Sequence, residues 1–171
     1  MGRWRRGVDI RTLGSGNLGA TNVFRTVGKG AGIVTLAVDV LKGWVPVWLA
    51  LRFFPGNLIP LLAGLAAVAG HTWSPFVGFK GGKGVATSAG VFSALLPFPT
   101  LVALGAFAMA FALSRHVSVG SLAGSVVLPV MAFATGGISP RSFLALVLGI
   151  LIVVRHIPNI RRLCRGEERS L

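Results

Sequence analysis

The chain is mostly apolar, and four short polar islands interrupt it near residues 14–25, 70–87, 114–121 and 155–166. Between the islands, Gly30 to about Phe54 is long enough to cross a bilayer as a helix at 1.5 Å rise per residue. Asn57 to Gly70 makes a shorter return helix. Val85 to Leu96 and Thr100 to Leu113, joined by Pro97-Phe98-Pro99, fall short of the roughly 20 residues of a simple span and read as tilted helices buried by their neighbours. Leu122 to Ala134 and Ser142 to Val154 form a last pair turned around Thr135 to Pro140, and Ala20 to Arg25 is a short helix along the interface. The pattern predicts an all-α polytopic integral membrane helix bundle, one domain over residues 1–171, with about six transmembrane or half-membrane helices.

Composition agrees with the pattern: 53% of residues are hydrophobic and only 12% are charged, about half the usual share of a soluble domain. Mean hydropathy is +0.78. Seventeen Lys and Arg against four acids give a net charge of +13. In a soluble protein that balance would suggest nucleic acid, but no polar basic face exists on which a duplex could lie, so no nucleic acid is expected. The cations cluster instead by segment. Arg3, Arg5, Arg6, Arg11, Arg25 and Lys29 come first, then Lys80 and Lys83, then Arg115, then Arg155, Arg161, Arg162, Arg165 and Arg169. If the apolar segments cross in pairs, these fourteen lie on one face, which the positive-inside rule makes cytoplasmic, together with both termini and the active site. Cys164, the single cysteine, then sits in a reducing compartment, and Met1 to Gly30 contains no apolar run that would serve as a cleavable signal peptide.

The densest polar stretch is Gly70 to Gly90, and within it Lys80-Gly81-Gly82-Lys83-Gly84 sets two ammonium groups beside glycines whose N–H groups can turn toward one anion. It is not the nucleotide P-loop, whose spacing requires glycine at Val77 and a hydroxyl at Gly84. Gly14-Ser15-Gly16-Asn17-Leu18-Gly19 fits the dinucleotide fingerprint, but no buried strand precedes it and Asp39 lies inside an apolar helical run. Its glycines read better as a loop folded against a ligand, with donors from Ser15, Asn17, Thr21, Asn22 and Arg25. Asp39 and Lys42, three apart on one helical face, read as a mutually neutralising pair pointing into the bundle. His71 divides between helix-end hydrogen bonding and substrate contact, His116 reads as interfacial, and Arg161, Arg162, Arg165 and Arg169 read as headgroup-binding.

Cations and neutral donors dominate the islands, which points to a substrate carrying phosphate. Glu167 and Glu168 lie far along the tail, three histidines stand in three separate islands without metal-ligand spacing, and neither metal nor cofactor is expected. The His-x-x-x-x-Asp spacing of soluble-facing glycerolipid acyltransferases is absent: Phe76, Ser121 and Arg161 stand five residues beyond the three histidines. A reaction here would use an already activated donor and rely on orientation and charge stabilisation.

Four separated motifs, in order over nearly the whole chain, resemble the bacterial acyl-phosphate:glycerol-3-phosphate acyltransferase family, PlsY. They are Ser15-Gly16-Asn17-Leu18-Gly19-Ala20-Thr21-Asn22, Gly70-His71 with Lys80 to Thr87, Ser118-Val119-Gly120-Ser121, and His156 to Ile160 with Arg162-Leu163 and Gly166; Asp39 with Lys42-Gly43 also fits. The resemblance implies transfer of a fatty acyl group from acyl phosphate to the 1-hydroxyl of glycerol 3-phosphate, releasing phosphate and lysophosphatidic acid, in the bacterial inner membrane among its lipids. It implies phosphate-binding or glycerol-orienting roles for Arg25, Lys83, Ser121, His156 and Asn159, and membership of the first motif for Ser15. With the residue reading, the catalytic set is Ser15, Lys83, Ser121 and His156. The substrate-binding set adds Arg25, Asn159, Asn17, Gly81, Gly82 and His71. Members of the family carry another membrane helix before the first motif, whereas this sequence opens at Met1-Gly2-Arg3; either the start lies upstream or the bundle has one span fewer.

The rival reading is a small anion or phosphate transporter with Asp39 and Lys42 as coupling elements. Polar motifs gathered on one face argue against it, since a transporter needs polar groups leading to both. A catalytically silent assembly subunit is a third reading. Oligomeric state and acyl-chain preference are not written in the sequence.

Overall fold

A computed structural model describes residues 12–170, and all regular structure among them is helical. The arginines at positions 3, 5, 6 and 11 therefore lie outside the described residues. Helix α1 is Ala20–Thr26, α2 Lys29–Phe53, α3 Leu58–Thr72, α4 Val85–Leu95, α5 Pro97–Ser114, α6 Val117–Gly136, α7 Pro140–Arg155 and α8 Ile157–Cys164, with a 3₁₀ turn at Pro75–Val77. By length and composition α2, α5 and α6 can each cross a membrane, and α7 with α8 makes a fourth candidate bent by 51°. The outward faces of the long helices are apolar, with Ile33, Leu101, Leu113 and Val130 at least 60% exposed. Water would not solvate such a surface at acceptable cost, but lipid does. This is an integral membrane protein.

The six predicted segments are all helices, but two boundaries differ in ways that matter for the site. Pro97-Phe98-Pro99 is not a connecting turn: it forms the first turn of α5, where a missing proline N–H leaves no partner unsatisfied. The island at 114–121 is not a loop either. Arg115, left-handed at φ 62°, ends α5, His116 is extended, and α6 begins at Val117. Ser118 and Ser121 therefore sit, both buried, in the first turn and a half of a helix. The fourth island is also helical, as α8, and Asn159 points inward from it.

Small residues let the helices approach. A methyl group on Gly43 would strike the Thr87 carbonyl of α4, and one on Gly90 would strike the Val40 carbonyl of α2. The two backbones touch, as is common where packing alone drives association in lipid. Gly120 similarly receives Phe107 of α5, and Gly32 receives Phe24, which seats α1 on the start of α2. Below these contacts Val47, Val68, Val91, Phe92, Leu95, Leu128, Ala132 and Leu148 close the core. At the far end Ser139 caps α7 by accepting from the Ser142 N–H, and Arg141 donates to the Asn57 side-chain oxygen and the Leu95 carbonyl. That pins the end opposite the polar islands.

Candidate active site

All four islands open onto one cavity of about 450 Å³. Its polar wall includes Ser15, Asn17, Arg25, Lys83, His156, Asn159, Arg162 and Glu168. Its apolar wall includes Leu36, Val40, Ala89, Leu104 and Phe107. A polar head next to an apolar groove suits a molecule that carries both.

The first wall is built by a folded loop. Gly14 turns at φ +62°, where a side chain would strike the Asn22 side-chain oxygen. Buried Asn22 accepts from the Ser15 N–H at 3.0 Å and donates to the Leu13 carbonyl at 3.1 Å. Asn17 accepts from the Gly19 N–H at 2.8 Å. The oxygens of these two asparagines are thus spent on shaping the loop, and Ser15 and Asn17 line the cavity. Arg25, on α1, donates to the carbonyls of Arg169 and Ser170 at 2.8 and 3.2 Å.

The KGGKG loop departs from expectation. The Gly81 and Gly82 N–H groups do not face an anion; they donate to the Thr72 and His71 carbonyls at 3.1 and 3.3 Å. Arg155 donates to both glycine carbonyls at 3.3 Å. The glycines exist to lie flat on His71, whose backbone carbonyl and ring would clash with side chains at 81 and 82. They border a second, smaller cavity of about 200 Å³ instead. What reaches the main cavity is Lys83 and the N-terminal turn of α4, Gly84 to Ala86, whose N–H groups and dipole favour negative charge.

From there a hydrogen-bonded chain crosses the site. Lys83 donates to the Asn159 oxygen, Asn159 donates through its amide nitrogen to one oxygen of Glu168, and Arg162 Nε donates to the other oxygen at 2.6 Å. Glu168 is the residue that sequence reading missed: as a member of the tail it was assigned no role, yet its side chain is 5% exposed and lies inside the site. Burial pushes its carboxyl up, but hydrogen bonds from Asn159 and Arg162 and the Arg162 charge outweigh this and hold it below the usual carboxylate range. Arg162 belongs to the site wall and not to a headgroup-binding surface. His116 also turns inward, its Nε2 at 3.1 Å from the Glu168 carbonyl. No local signal in the sequence marks these contacts, because each joins residues held together only by the tail's return.

Lys83 is pushed down to about 8, chiefly by burial, with Glu168 opposing and Arg162, Arg155 and Arg25 adding to the fall. His156, one residue past the end of α7, is 2% exposed. Its Nδ1 faces the Ile152 carbonyl at 2.8 Å and must carry the proton there, which leaves Nε2 as an acceptor. Ser121 is not among the cavity-lining residues: its hydroxyl donates to the Val117 carbonyl at 2.8 Å. Ser118, one turn earlier, takes the wall position. His71 and Asp39 also line the cavity, and Lys42 contacts both of them. The expected Asp39–Lys42 pair is therefore a group of three.

Residues 1–166 match the family model for glycerol-3-phosphate acyltransferase. The glycerol-3-phosphate acyltransferase of Endomicrobium trichonymphae is 45% identical over 164 residues, covering 96% of this chain and 82% of that protein. Its counterpart from Anaeromyxobacter sp. (strain Fw109-5) is 46% identical over 176 residues, covering 100% of this chain and 87% of that protein. The crystal structure of PlsY, an integral membrane glycerol 3-phosphate acyltransferase, in its glycerol 3-phosphate form superposes with a TM-score of 0.92 at 40% identity, covering 97% of this chain and 84% of that one. Its lysophosphatidic acid form gives 0.86 at 39% identity, covering 92% and 81%. Matched along nearly its whole length in sequence and in fold, the chain belongs to the glycerol-3-phosphate acyltransferase family.

Proposed function

We propose that this acyltransferase takes its acyl group from acyl phosphate and delivers it to the 1-hydroxyl of glycerol 3-phosphate, giving lysophosphatidic acid and inorganic phosphate. Acyl transfer to glycerol 3-phosphate is the activity of the family and of this chain. The reading of the donor is carried by one observation: both carboxylates in the cavity wall are already engaged, Glu168 by Asn159 and Arg162 and Asp39 by Lys42. A site without a free carboxylate base suits a donor that arrives activated, and acyl phosphate is a mixed anhydride with a good leaving group.

In this mechanism Arg25, Lys83 and Arg162, with the α4 N-terminus, bind phosphate and stabilise charge on the leaving group. The acyl chain lies along Leu36, Ala89, Leu104 and Phe107. His156 Nε2 accepts a hydrogen bond from the glycerol hydroxyl and orients it, while Ser15, Asn17 and Asn159 position the polar ends. The hydroxyl oxygen attacks the acyl carbonyl carbon, the bond from that carbon to the phosphate oxygen breaks, and the hydroxyl proton passes to the departing phosphate. Ser121 acts through the α6 turn that presents Ser118. The clustering of cations at the cavity end supports a bacterial inner-membrane protein with this end, the tail included, in the cytoplasm.

The test is phosphate release by the detergent-purified chain given palmitoyl phosphate, with and without glycerol 3-phosphate, beside Lys83→Ala. Release requiring both the acceptor and Lys83 is expected. Release independent of the acceptor, or transfer only from a thioester donor, overturns the reading.

A further inference from the structure

Asp39, Lys42 and His71 form a contact group between the two cavities, and none is used in the transfer chemistry above. Asp39 and His71 border both cavities and Lys42 borders only the smaller one. The Asp39 and His71 side chains are 9% and 8% exposed. The Lys42 ammonium contacts Asp39 Oδ1 and His71 Nδ1 together, whereas Asp39 Oδ1 stands 3.5 Å from that ring nitrogen. An ammonium has hydrogens to give and no lone pair to offer. A ring nitrogen that receives it must be unprotonated, so the ring proton resides on Nε2.

The other edge of the same ring meets the KGGKG loop. A methyl group at Gly82 would strike His71 Nε2 and Cε1, and one at Gly81 would strike the His71 carbonyl. The loop thus rests flat on a ring whose orientation is set from α2. One residue further along stands Lys83. An isolated pair three residues apart on one helix would already be neutral without the imidazole, so charge balance alone does not account for the third member.

Building on the acyltransferase reading, we propose that Asp39 and Lys42 are positioning residues: they fix His71 as its neutral Nε2–H tautomer and, through it, set the loop that presents Lys83 to phosphate. Asp39 holds the ammonium, the ammonium fills Nδ1, and the ring face supports Gly81 and Gly82. His71 is then a donor and a support, not a general base.

The experiment combines nitrogen NMR of 15N-histidine-labelled full chain with kinetics and thermal unfolding. The His71 signal is assigned by its loss in His71→Gln. An unprotonated Nδ1 and a protonated Nε2 are expected in the parent chain, reversing in Lys42→Met as Nδ1–H turns to Asp39. Lys42→Met should lower kcat/KM at least tenfold, and Lys42→Arg should stay within threefold. The double variant Asp39→Asn/Lys42→Met, which leaves no unpaired buried charge, should recover thermal stability while kcat/KM stays low. A purely structural pair would restore both together, and that result overturns the proposal. So does a His71 tautomer that ignores Lys42, whatever the turnover. Absence of acyl transfer in the parent chain would instead reject the functional reading, while the tautomer spectrum still decides the positioning role.

Discussion

Raising the pH should switch off Lys83 before any other group in the phosphate site. Its ammonium is held down to about 8 from an ordinary 10.5 because burial penalises the charge and three arginines repel it. That gap corresponds to roughly 3 kcal/mol disfavouring the ammonium in the empty site. The folded protein releases this proton before the unfolded chain does, so below pH 8 the buried charge costs its full amount of stability, and the cost fades between about 8 and 10.5. Substrate binding runs the other way, because a phosphate dianion needs the ammonium. A phosphate monoester is already a dianion above roughly pH 6. In the free enzyme, which kcat/KM reports, the protonated fraction of Lys83 falls to about one in eleven at pH 9. Hence kcat/KM for glycerol 3-phosphate, with palmitoyl phosphate held well below its own KM and the rate corrected for spontaneous hydrolysis, should be flat from pH 6.5 to 7.5. It should be about tenfold lower at pH 9. Lys83→Arg keeps its charge beyond pH 12 and should give a flat profile over the same range, at a lower plateau. A parent profile flat to pH 9.5, or a parallel fall in Lys83→Arg, would refute the assignment of Lys83 as the charged phosphate ligand.

Other outcomes follow from particular contacts. Glu168→Gln weakens the hold on Arg162 and Asn159 and should cost about 1–3 kcal/mol of stability together with most of kcat, read by thermal unfolding and phosphate release. Ser118→Ala should lower kcat/KM more than Ser121→Ala, since Ser118 lines the cavity and the Ser121 hydroxyl is turned to the Val117 carbonyl; the reverse order in the same assay would place Ser121 on the substrate. Gly43→Ala drives a methyl group into the Thr87 carbonyl and should destabilise by about 1–3 kcal/mol, measured as a lower unfolding temperature in detergent.

The sequence determined the helices, because apolar blocks and the bilayer's thickness leave a chain little other choice, and it determined the four islands and the family they spell. The family resemblance singled out Arg25, Lys83, His156 and Asn159, which line the cavity, and Ser121, which does not. What it did not reveal is the direction each side chain takes. Gly81 and Gly82 look like an anion cradle in one dimension, but their N–H groups are claimed by the end of α3. Ser118 and Ser121 look alike in sequence, but the packing of the helix leaves Ser118 at the cavity wall while the Ser121 hydroxyl bonds the Val117 carbonyl of its own helix. Glu168, Arg162 and His116 join the site through contacts across as many as 52 residues, and His71 meets Lys42 across 29. Such pairings depend on how the helices and tail close on one another. Periodicity and composition record which residues avoid water, whereas the packed backbone alone decides which polar groups find each other once water is gone.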